Sequence, residues 1–148
     1  MVSAMNLDQL SGLELLQQML TRQAAPPPMA ITMNMILVQV EEGFARFEAL
    51  ANETHLNPMG SVHGGYAATV LDSVLGCAVH SVLKPGESYS TIDLNIKMFR
   101  PVPLATKLIA EGQLINRSRT LGVSNGKLMN EEGKIFAYGS CTCKIISA

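Results

Sequence analysis

The sequence predicts an α+β domain in which a curved, mostly antiparallel six-stranded sheet wraps around one long central helix. A single long helical pattern covers residues 63–83, with two strand-like runs before it and four after it. Turn signals separate these runs. Because a lone helix must bury its apolar stripe against another layer, a sheet curved around it is the most economical packing.

The first predicted element is an N-terminal helix followed by a proline linker. Ser11-Gly12-Leu13-Glu14 matches a capping box, and the amphipathic pattern continues to about Arg22. Pro26-Pro27-Pro28 then forces extended backbone. We therefore expect residues 1–28 to form an appendage to the main domain, residues 29–148, rather than part of its core. The helix could line a pocket or pack on a partner subunit.

Residues 29–40 and 44–50 are strand-like, and Glu41-Glu42-Gly43 between them predicts a hairpin. A polar loop, residues 51–61, leads to the long helix. Its apolar residues recur at helical spacing and predict one buried stripe: Leu71, Val74, Leu75, Ala78 and Val82.

Strict alternation follows the turn at residues 84–87 and marks the clearest strand. It predicts Ile92, Leu94, Ile96 and Met98 on one face, and Thr91, Asp93, Asn95 and Lys97 on the other. Three further strands are expected at residues 106–115, 120–129 and 134–146.

Composition indicates a single globular domain. The chain has 148 residues, enough for one core without a metal or disulfide. Apolar residues make up 47% and charged residues only 16%, so we expect another copy of the chain to cover some apolar surface. The three cysteines are interpreted as buried reduced thiols.

Charge and hydropathy exclude other classes. The net charge is -1 and the 11 Lys and Arg residues form no basic run, so a nucleic-acid partner is not expected. The sequence shows neither a signal-peptide pattern nor 18 consecutive apolar residues, which favours a cytoplasmic protein without a membrane span.

Gly64 and Gly65 lie where the long helix begins, and there unpaired backbone N–H groups and the positive end of the helix dipole favour a carbonyl oxygen that is becoming negative. Without a Cβ, both let a bulky ligand approach the backbone. The alternative is that they only fit a tight turn.

Asp72 is the only ionisable residue between His63 and His80, within an otherwise apolar helix. A carboxylate there is expected to be functional or to be paired in an interface or on an exposed face. Asp72 is eight residues from Gly64, about 12 Å of helix rise, so one carbonyl cannot contact both. Gly65, Ala68, Asp72 and Gly76 form a small-residue stripe that would let a second chain approach. We therefore predict active sites shared between two subunits.

Residues 57–72, N-P-M-G-S-V-H-G-G-Y-A-A-T-V-L-D, resemble the signature of the PaaI-like hotdog-fold acyl-CoA thioesterases of the 4HBT superfamily. That signature has Asn, Gly, His-Gly-Gly and, seven residues after the second Gly of that triplet, Asp. Residues 90–101, S-T-I-D-L-N-I-K-M-F-R-P, resemble the strand that follows the helix in the family. The similarity runs from about Met29 onward and leaves the first 25 residues uncovered. It implies a hotdog fold and hydrolysis of an acyl-CoA thioester to free acid and CoA.

Carried over by position, the resemblance implies that the Gly64 amide polarises the thioester carbonyl and that Asp72 of the neighbouring chain is the nucleophile or general base. It implies that Asn57 positions water or the carbonyl, that Thr91 helps to place the water or the acid, and that His63 orders the loop. Because a thioester is already an activated acyl group, no metal or cofactor is expected.

Arg100, Arg117 and Arg119 are candidates to bind the CoA phosphates, and Gly65 to lie against the substrate. His55 and His80 are interpreted as ordinary surface or helix-end residues. The expected partners are acyl-CoA and further copies of the chain, as a homodimer or a homotetramer built as a dimer of dimers.

Two other functions remain open at this point. A hotdog hydratase or dehydratase acting on acyl-CoA or acyl carrier protein would use a histidine such as His63 with an acid at one carbon centre. A non-catalytic acyl-CoA-binding module is the other, because a fold alone does not fix function.

Overall fold

The computed structural model describes residues 9–147. Within them the α-helices and strands are, in chain order, α1 (Gly12–Leu20), α2 (Pro28–Thr32), β1 (Met35–Glu41), β2 (Phe44–Ala49), α3 (Gly64–His80), β3 (Glu87–Met98), β4 (Leu108–Arg117), β5 (Leu121–Met129) and β6 (Ile135–Ser147). A short 3-10 helix, Glu53–His55, lies between β2 and α3. The element order agrees with the sequence prediction, apart from the added helix α2 and this short 3-10 helix.

The strands form one six-stranded sheet in the order β1-β2-β4-β5-β6-β3, and every neighbouring pair is antiparallel. Helix α3 packs against five of these strands, β2 to β6. The predicted hotdog architecture is therefore confirmed, with β1 and β3 as the edge strands.

Helix α3 lies directly on the backbone of the sheet. Its core-facing stripe includes Val70, Leu71, Val74 and Leu75, all with no exposed surface. A Cβ at Gly112 of β4 would lie 2.5 Å from the Val74 carbonyl oxygen. Only glycine permits this contact, which fixes α3 against the middle of the sheet.

Helix α1 belongs to the core, so the expectation of a separate appendage is wrong. The predicted capping box forms: Ser11 Oγ accepts from the Glu14 N–H at 3.1 Å, and the Glu14 carboxylate accepts from the Ser11 N–H at 3.3 Å. Leu16 is only 1% exposed and packs in the main cluster. The Gly12 N–H donates to the Leu83 carbonyl at 3.0 Å. The apolar side of α1 therefore packs against other elements of the same chain.

The predicted strand at residues 29–40 is two elements. Pro28 takes the first position of the five-residue helix α2, where its missing N–H costs no hydrogen bond. Asn34 then adopts a left-handed φ of 50° and donates to the Leu50 carbonyl at 3.0 Å, which turns the chain into β1. The helix was not predicted, because the apolar and β-branched side chains of residues 29–33 also suit a strand.

A β-bulge at Ile92 breaks the predicted alternation of β3. Thr91 pairs with Cys143, and Leu94 pairs with Cys141. Since residues opposite each other in an antiparallel pair share a face, and Cys141 and Cys143 are two apart on one strand, Thr91 and Leu94 face the same side. The prediction that Thr91 lies on the face opposite Leu94 is therefore wrong. The bulge turns Thr91 toward α3.

Candidate active site

His63 caps helix α3 and prepares its N-terminus. The His63 Nδ1 atom accepts a hydrogen bond from the Gly65 N–H at 2.7 Å. A Cβ at Gly65 would lie 2.8 Å from that nitrogen, so glycine is required for the cap. The Gly64 N–H makes no hydrogen bond to any residue from 9 to 147. A donor at the positive end of a 17-residue helix is thus available to a ligand.

Asn57 organises the loop that precedes the helix. Its Oδ1 accepts from the Met59 N–H at 3.0 Å and the Ser61 N–H at 3.1 Å, while its own N–H donates to the Ser61 carbonyl at 2.7 Å. Its side-chain NH₂ donates to no residue of the described chain. That group can therefore donate to a ligand oxygen or a water.

Asn57, His63, Gly64 and Arg100 line one cavity of about 420 Å³, which we call the Gly64 cavity. Met98, Phe99 and Phe136 supply apolar wall. Arg100 is exposed, and its Nη1 donates to the Ile135 carbonyl at 2.6 Å. The structure thus brings four of the predicted site residues together around a backbone donor.

Asp72 and Thr91 form a second group. Thr91 Oγ1 donates to Asp72 Oδ1 at 3.1 Å, and both side chains are half-buried. Thr91 Oγ1 also lies 3.8 Å from the Cys143 thiol. Cys141 and Cys143 are buried and free, in agreement with the prediction, whereas Cys77 is half-buried. The hydrogen bond from Thr91 orients one carboxylate oxygen and leaves the other available.

Asp72 is not among the residues that line the Gly64 cavity, as the helix-rise argument requires. The small-residue stripe is shorter than predicted. A Cβ at Gly76 would lie 3.0 Å from the Tyr89 hydroxyl, so Tyr89 of the same chain covers Gly76. Gly76 therefore serves internal packing, and a second chain could approach only around Gly65, Ala68 and Asp72.

Arg117 and Arg119 line a different cavity from Gly64. Arg117 donates to the Glu87 carboxylate at 2.5 Å and to the Val82 carbonyl at 2.6 Å, which ties β4 to the start of β3 and to the turn after α3. Its hydrogen bond lowers the pKa of Glu87. Arg119 is exposed. Arg117 thus has a structural role that its sequence context did not show.

His55 is buried, so its interpretation as a surface residue is wrong. Its Nδ1 accepts from the Asn52 N–H at 3.0 Å, and its Nε2 lies 2.9 Å from the Thr32 carbonyl oxygen. Its ring packs against the Tyr66 ring at a tilt of 45°, with the two ring centroids 4.6 Å apart. His80 ends α3 as predicted, and burial lowers its pKa. Neither histidine lines the Gly64 cavity.

Residues 9–147 contain no cluster of three or more His, Cys, Asp or Glu side chains placed to hold a metal ion. None of the helices in this part of the chain has the length and apolar character needed to span a bilayer.

Sequence reasoning missed a second cavity, of about 430 Å³, beneath α1 and the proline linker. Ser73 and Cys77 of α3 and Tyr89 of β3 line the part of this cavity that we call its inner end. The only sequence signal for it was the amphipathic pattern of α1, which did not show where the helix docks.

Comparison with known proteins identifies relatives of this arrangement. Residues 59–137 match the family model of the thioesterase superfamily. Acyl-coenzyme A thioesterase 13 of Homo sapiens is 28% identical over 107 residues, covering 72% of this chain and 76% of that protein.

Two solved structures share the architecture. A phenylacetic acid degradation-related protein of Ralstonia eutropha JMP134 superimposes with a TM-score of 0.79 at 32% identity, covering 86% of this chain and 97% of that one. The PaaI protein of Escherichia coli gives a TM-score of 0.79 at 21% identity, covering 89% and 94%. At 21% identity, the similarity to the PaaI protein shows that the two chains share a fold.

Proposed function

This chain belongs to the thioesterase superfamily and is a thioester hydrolase, and we propose that it hydrolyses acyl-CoA at sites shared between two subunits. The observation that carries the proposal is the unpaired Gly64 N–H in a cavity that Asp72 of the same chain does not line. The relatedness to acyl-coenzyme A thioesterase 13 supports an acyl-CoA substrate.

One subunit holds the thioester carbonyl. Its oxygen accepts from the Gly64 N–H, and the Asn57 NH₂ donates to the same oxygen or to the attacking water. As the carbonyl carbon becomes tetrahedral, its oxygen gains negative charge, which the backbone donor and the helix dipole stabilise. Arg100, at the rim of the Gly64 cavity, is placed to meet a CoA phosphate.

The other subunit supplies the carboxylate. Asp72 either attacks the carbonyl carbon or removes a proton from the water that does, while Thr91 fixes its orientation. The carbon–sulfur bond then breaks, and CoA leaves as a thiolate that takes up a proton. In the direct route, water afterwards hydrolyses the acyl-aspartate and releases the free acid.

The edge strand β3 supports a dimer in which this sharing occurs. No strand within residues 9–147 pairs with its outer edge, and Ile92, Met98 and the adjoining Phe99 are 58%, 53% and 56% exposed. A long edge strand with exposed apolar side chains is a template for pairing with another chain. A second copy would cover this surface beside α3. Pairing of dimers into a tetramer, and contacts of Arg117 or Arg119 with CoA, remain part of the proposal.

His63 argues for hydrolysis over the hydratase alternative. A hydratase needs a histidine that exchanges protons with substrate, but His63 Nδ1 is already the acceptor of the helix cap. A panel of acyl-CoA thioesters followed by thiol release, with enoyl-CoA hydration measured in parallel, tests the choice. Hydration without thiol release would overturn it.

Subunit mixing tests the shared site. Asp72→Ala and Asn57→Ala homomers are each expected to be poor enzymes. After equal mixing and random exchange, half of the dimers are hybrids with one intact site, so about one quarter of wild-type activity should return. No recovery would contradict shared sites.

The double variant Asn57→Ala/Asp72→Ala provides the matched control. Mixed equally with wild type, its hybrids contain no intact site if the sites are shared, and activity should fall to about one quarter. If each chain carried a complete site, every hybrid would keep one, and activity would fall only to about one half.

A further inference from the structure

The cavity beneath α1 is a second pocket that the catalytic groups do not fill. All but three of its lining residues precede residue 59, outside the segment that matches the superfamily model. They come from the end of α1, the proline linker, α2, β1 and β2. We call it the α1 cavity. Its walls thus come mainly from the N-terminal region of the chain.

The wall is mostly apolar and aliphatic, and Arg22 is the one charged residue that lines it. Met19, Ala24, Met29, Ile36 and Leu37 contribute to it, with Phe47 as the only phenylalanine. Met29 and Ile36 are 53% and 45% exposed, so they mark its mouth. Pockets of this character exclude water and favour a hydrocarbon ligand.

The groups at the inner end are neutral. Burial, and to a lesser extent the negative charge of Asp72, raises the pKa of Cys77 to about 12. Burial likewise raises the pKa of Tyr89. A thiol and a phenol that stay protonated do not oppose an apolar ligand.

The inner end adjoins Asp72. Ser73 is the next residue along α3, and Cys77 lies about one helical turn beyond it. Tyr89 is two residues before Thr91 on β3, so both side chains face α3. Thr91 donates a hydrogen bond to Asp72, and Tyr89 lines the cavity. Asp72 does not itself line the cavity, but residues close to it on α3 and to Thr91 on β3 do, so this part of the wall lies near the carboxylate.

We infer that the α1 cavity binds an unbranched aliphatic acyl chain of the thioester on which the same subunit's Asp72 acts. The inference rests on the proposed function. It places the two ends of one substrate on two subunits: the carbonyl and CoA lie at Gly64 of one chain, and the acyl tail lies beneath α1 of the other.

The size of the cavity sets the chain length. A methylene group is similar in volume to one molecule of liquid water, about 30 Å³, so the α1 cavity has room for on the order of ten carbons. Each methylene that enters it should raise kcat/KM about fourfold, the equivalent of about 0.8 kcal/mol. The increase should level off when the cavity is full.

The test compares saturated acyl-CoA substrates from acetyl to palmitoyl, together with phenylacetyl-CoA, by thiol release. Ala24→Phe puts a ring into the cavity, and Gln23→Phe puts the same ring on the adjacent exposed position, which does not line it. Ala24→Phe should shift the optimum to shorter chains, because it should lower decanoyl-CoA hydrolysis much more than acetyl-CoA hydrolysis. Gln23→Phe should match wild type.

A second pair of variants guards against a folding defect at Ala24. Met29→Trp fills the mouth of the cavity, and Ile31→Trp is its control on the same helix, 71% exposed and outside the lining. Thermal unfolding identifies any variant that is misfolded. An unchanged chain-length profile in folded Ala24→Phe and Met29→Trp would overturn the inference, as would a preference for phenylacetyl-CoA over decanoyl-CoA.

Calorimetric titration with decanoyl-CoA and acetyl-CoA separates this inference from the proposed function, and it is done in the Asp72→Asn background so that the thioester is not consumed. Tighter binding of decanoyl-CoA that is lost in Ala24→Phe but kept in Gln23→Phe supports the pocket even if the wild type releases no thiol, in which case the hydrolase mechanism fails alone. Thiol release without any dependence on chain length leaves the hydrolase standing and removes the acyl pocket.

Discussion

Thr91 and Asp72 show how one inserted residue places a functional contact. Without the bulge at Ile92, alternation would turn Thr91 away from α3. With the bulge, its hydroxyl lies 3.1 Å from the carboxylate. The resemblance predicted that Thr91 acts beside the acid, whereas the alternating pattern predicted the wrong face. A bulge depends on pairing with β6, which the local pattern of β3 does not contain.

Substitution of this pair should separate chemistry from positioning. Asp72→Asn is expected to lower kcat at least about a hundredfold, because the amide is neither a base nor a nucleophile. Thr91→Val should lower kcat roughly tenfold, the equivalent of a lost hydrogen bond to a charged group, and Thr91→Ser should restore it. Steady-state kinetics with one acyl-CoA substrate measures kcat and KM. A Thr91→Val variant that changes KM alone would contradict a positioning role.

At the scale of elements, the features that the sequence predicted correctly are those that depend on neighbouring residues. The capping box at Ser11 and the turn at Gly43, with φ of 79°, depend on neighbouring residues and form as predicted. Helix α2 was missed because Pro28 suits both a linker and a helix start. The docking of α1 was missed because it depends on contacts with α3 and β1, far away in sequence.

The packing of α1 gives a prediction at this scale. A Cβ at Gly12 would lie 1.8 Å from the His80 carbonyl oxygen, so Gly12→Ala should push α1 off the end of α3. We expect a loss of about 1–3 kcal/mol in the free energy of unfolding, as for other overpacked sites. Denaturant unfolding measures it, with Gln17→Ala on the exposed face of α1 as the control.

If Gly12→Ala unfolds like the Gln17→Ala control, α1 does not dock as described. Because α1 also walls the α1 cavity, Gly12→Ala should in addition reduce the activity toward long acyl chains more than toward acetyl-CoA.

At the scale of the whole molecule, the composition anticipated a surface that one chain leaves uncovered. The low charged fraction predicted a partner, and we propose that a second copy binds at the exposed apolar residues along β3. The sequence did not predict the shape of either cavity, because elements that are distant along the chain form the walls. It did predict the residues from Asn57 to Gly64 as part of a site, because they form one continuous segment.

A charge on this edge should separate the subunits. Ile92→Glu is expected to shift the protein toward monomer and to abolish hydrolysis, since a buried unpaired carboxylate opposes association. Sedimentation velocity and thiol release are measured on the same samples. Ile31→Glu, at a position on α2 that is 71% exposed, should leave both the sedimentation and the activity unchanged. A fully active Ile92→Glu monomer would show that one chain holds a complete site.

The contact between Gly112 and the Val74 carbonyl has a consequence for redesign. Helix and sheet meet there backbone to backbone, so at this contact there is no side chain to shorten for a larger ligand. The α1 cavity, by contrast, is bounded mainly by side chains of residues 19–37. A variant library confined to that stretch could retune acyl preference while leaving the catalytic groups untouched, which makes the N-terminal region the adjustable part of this scaffold.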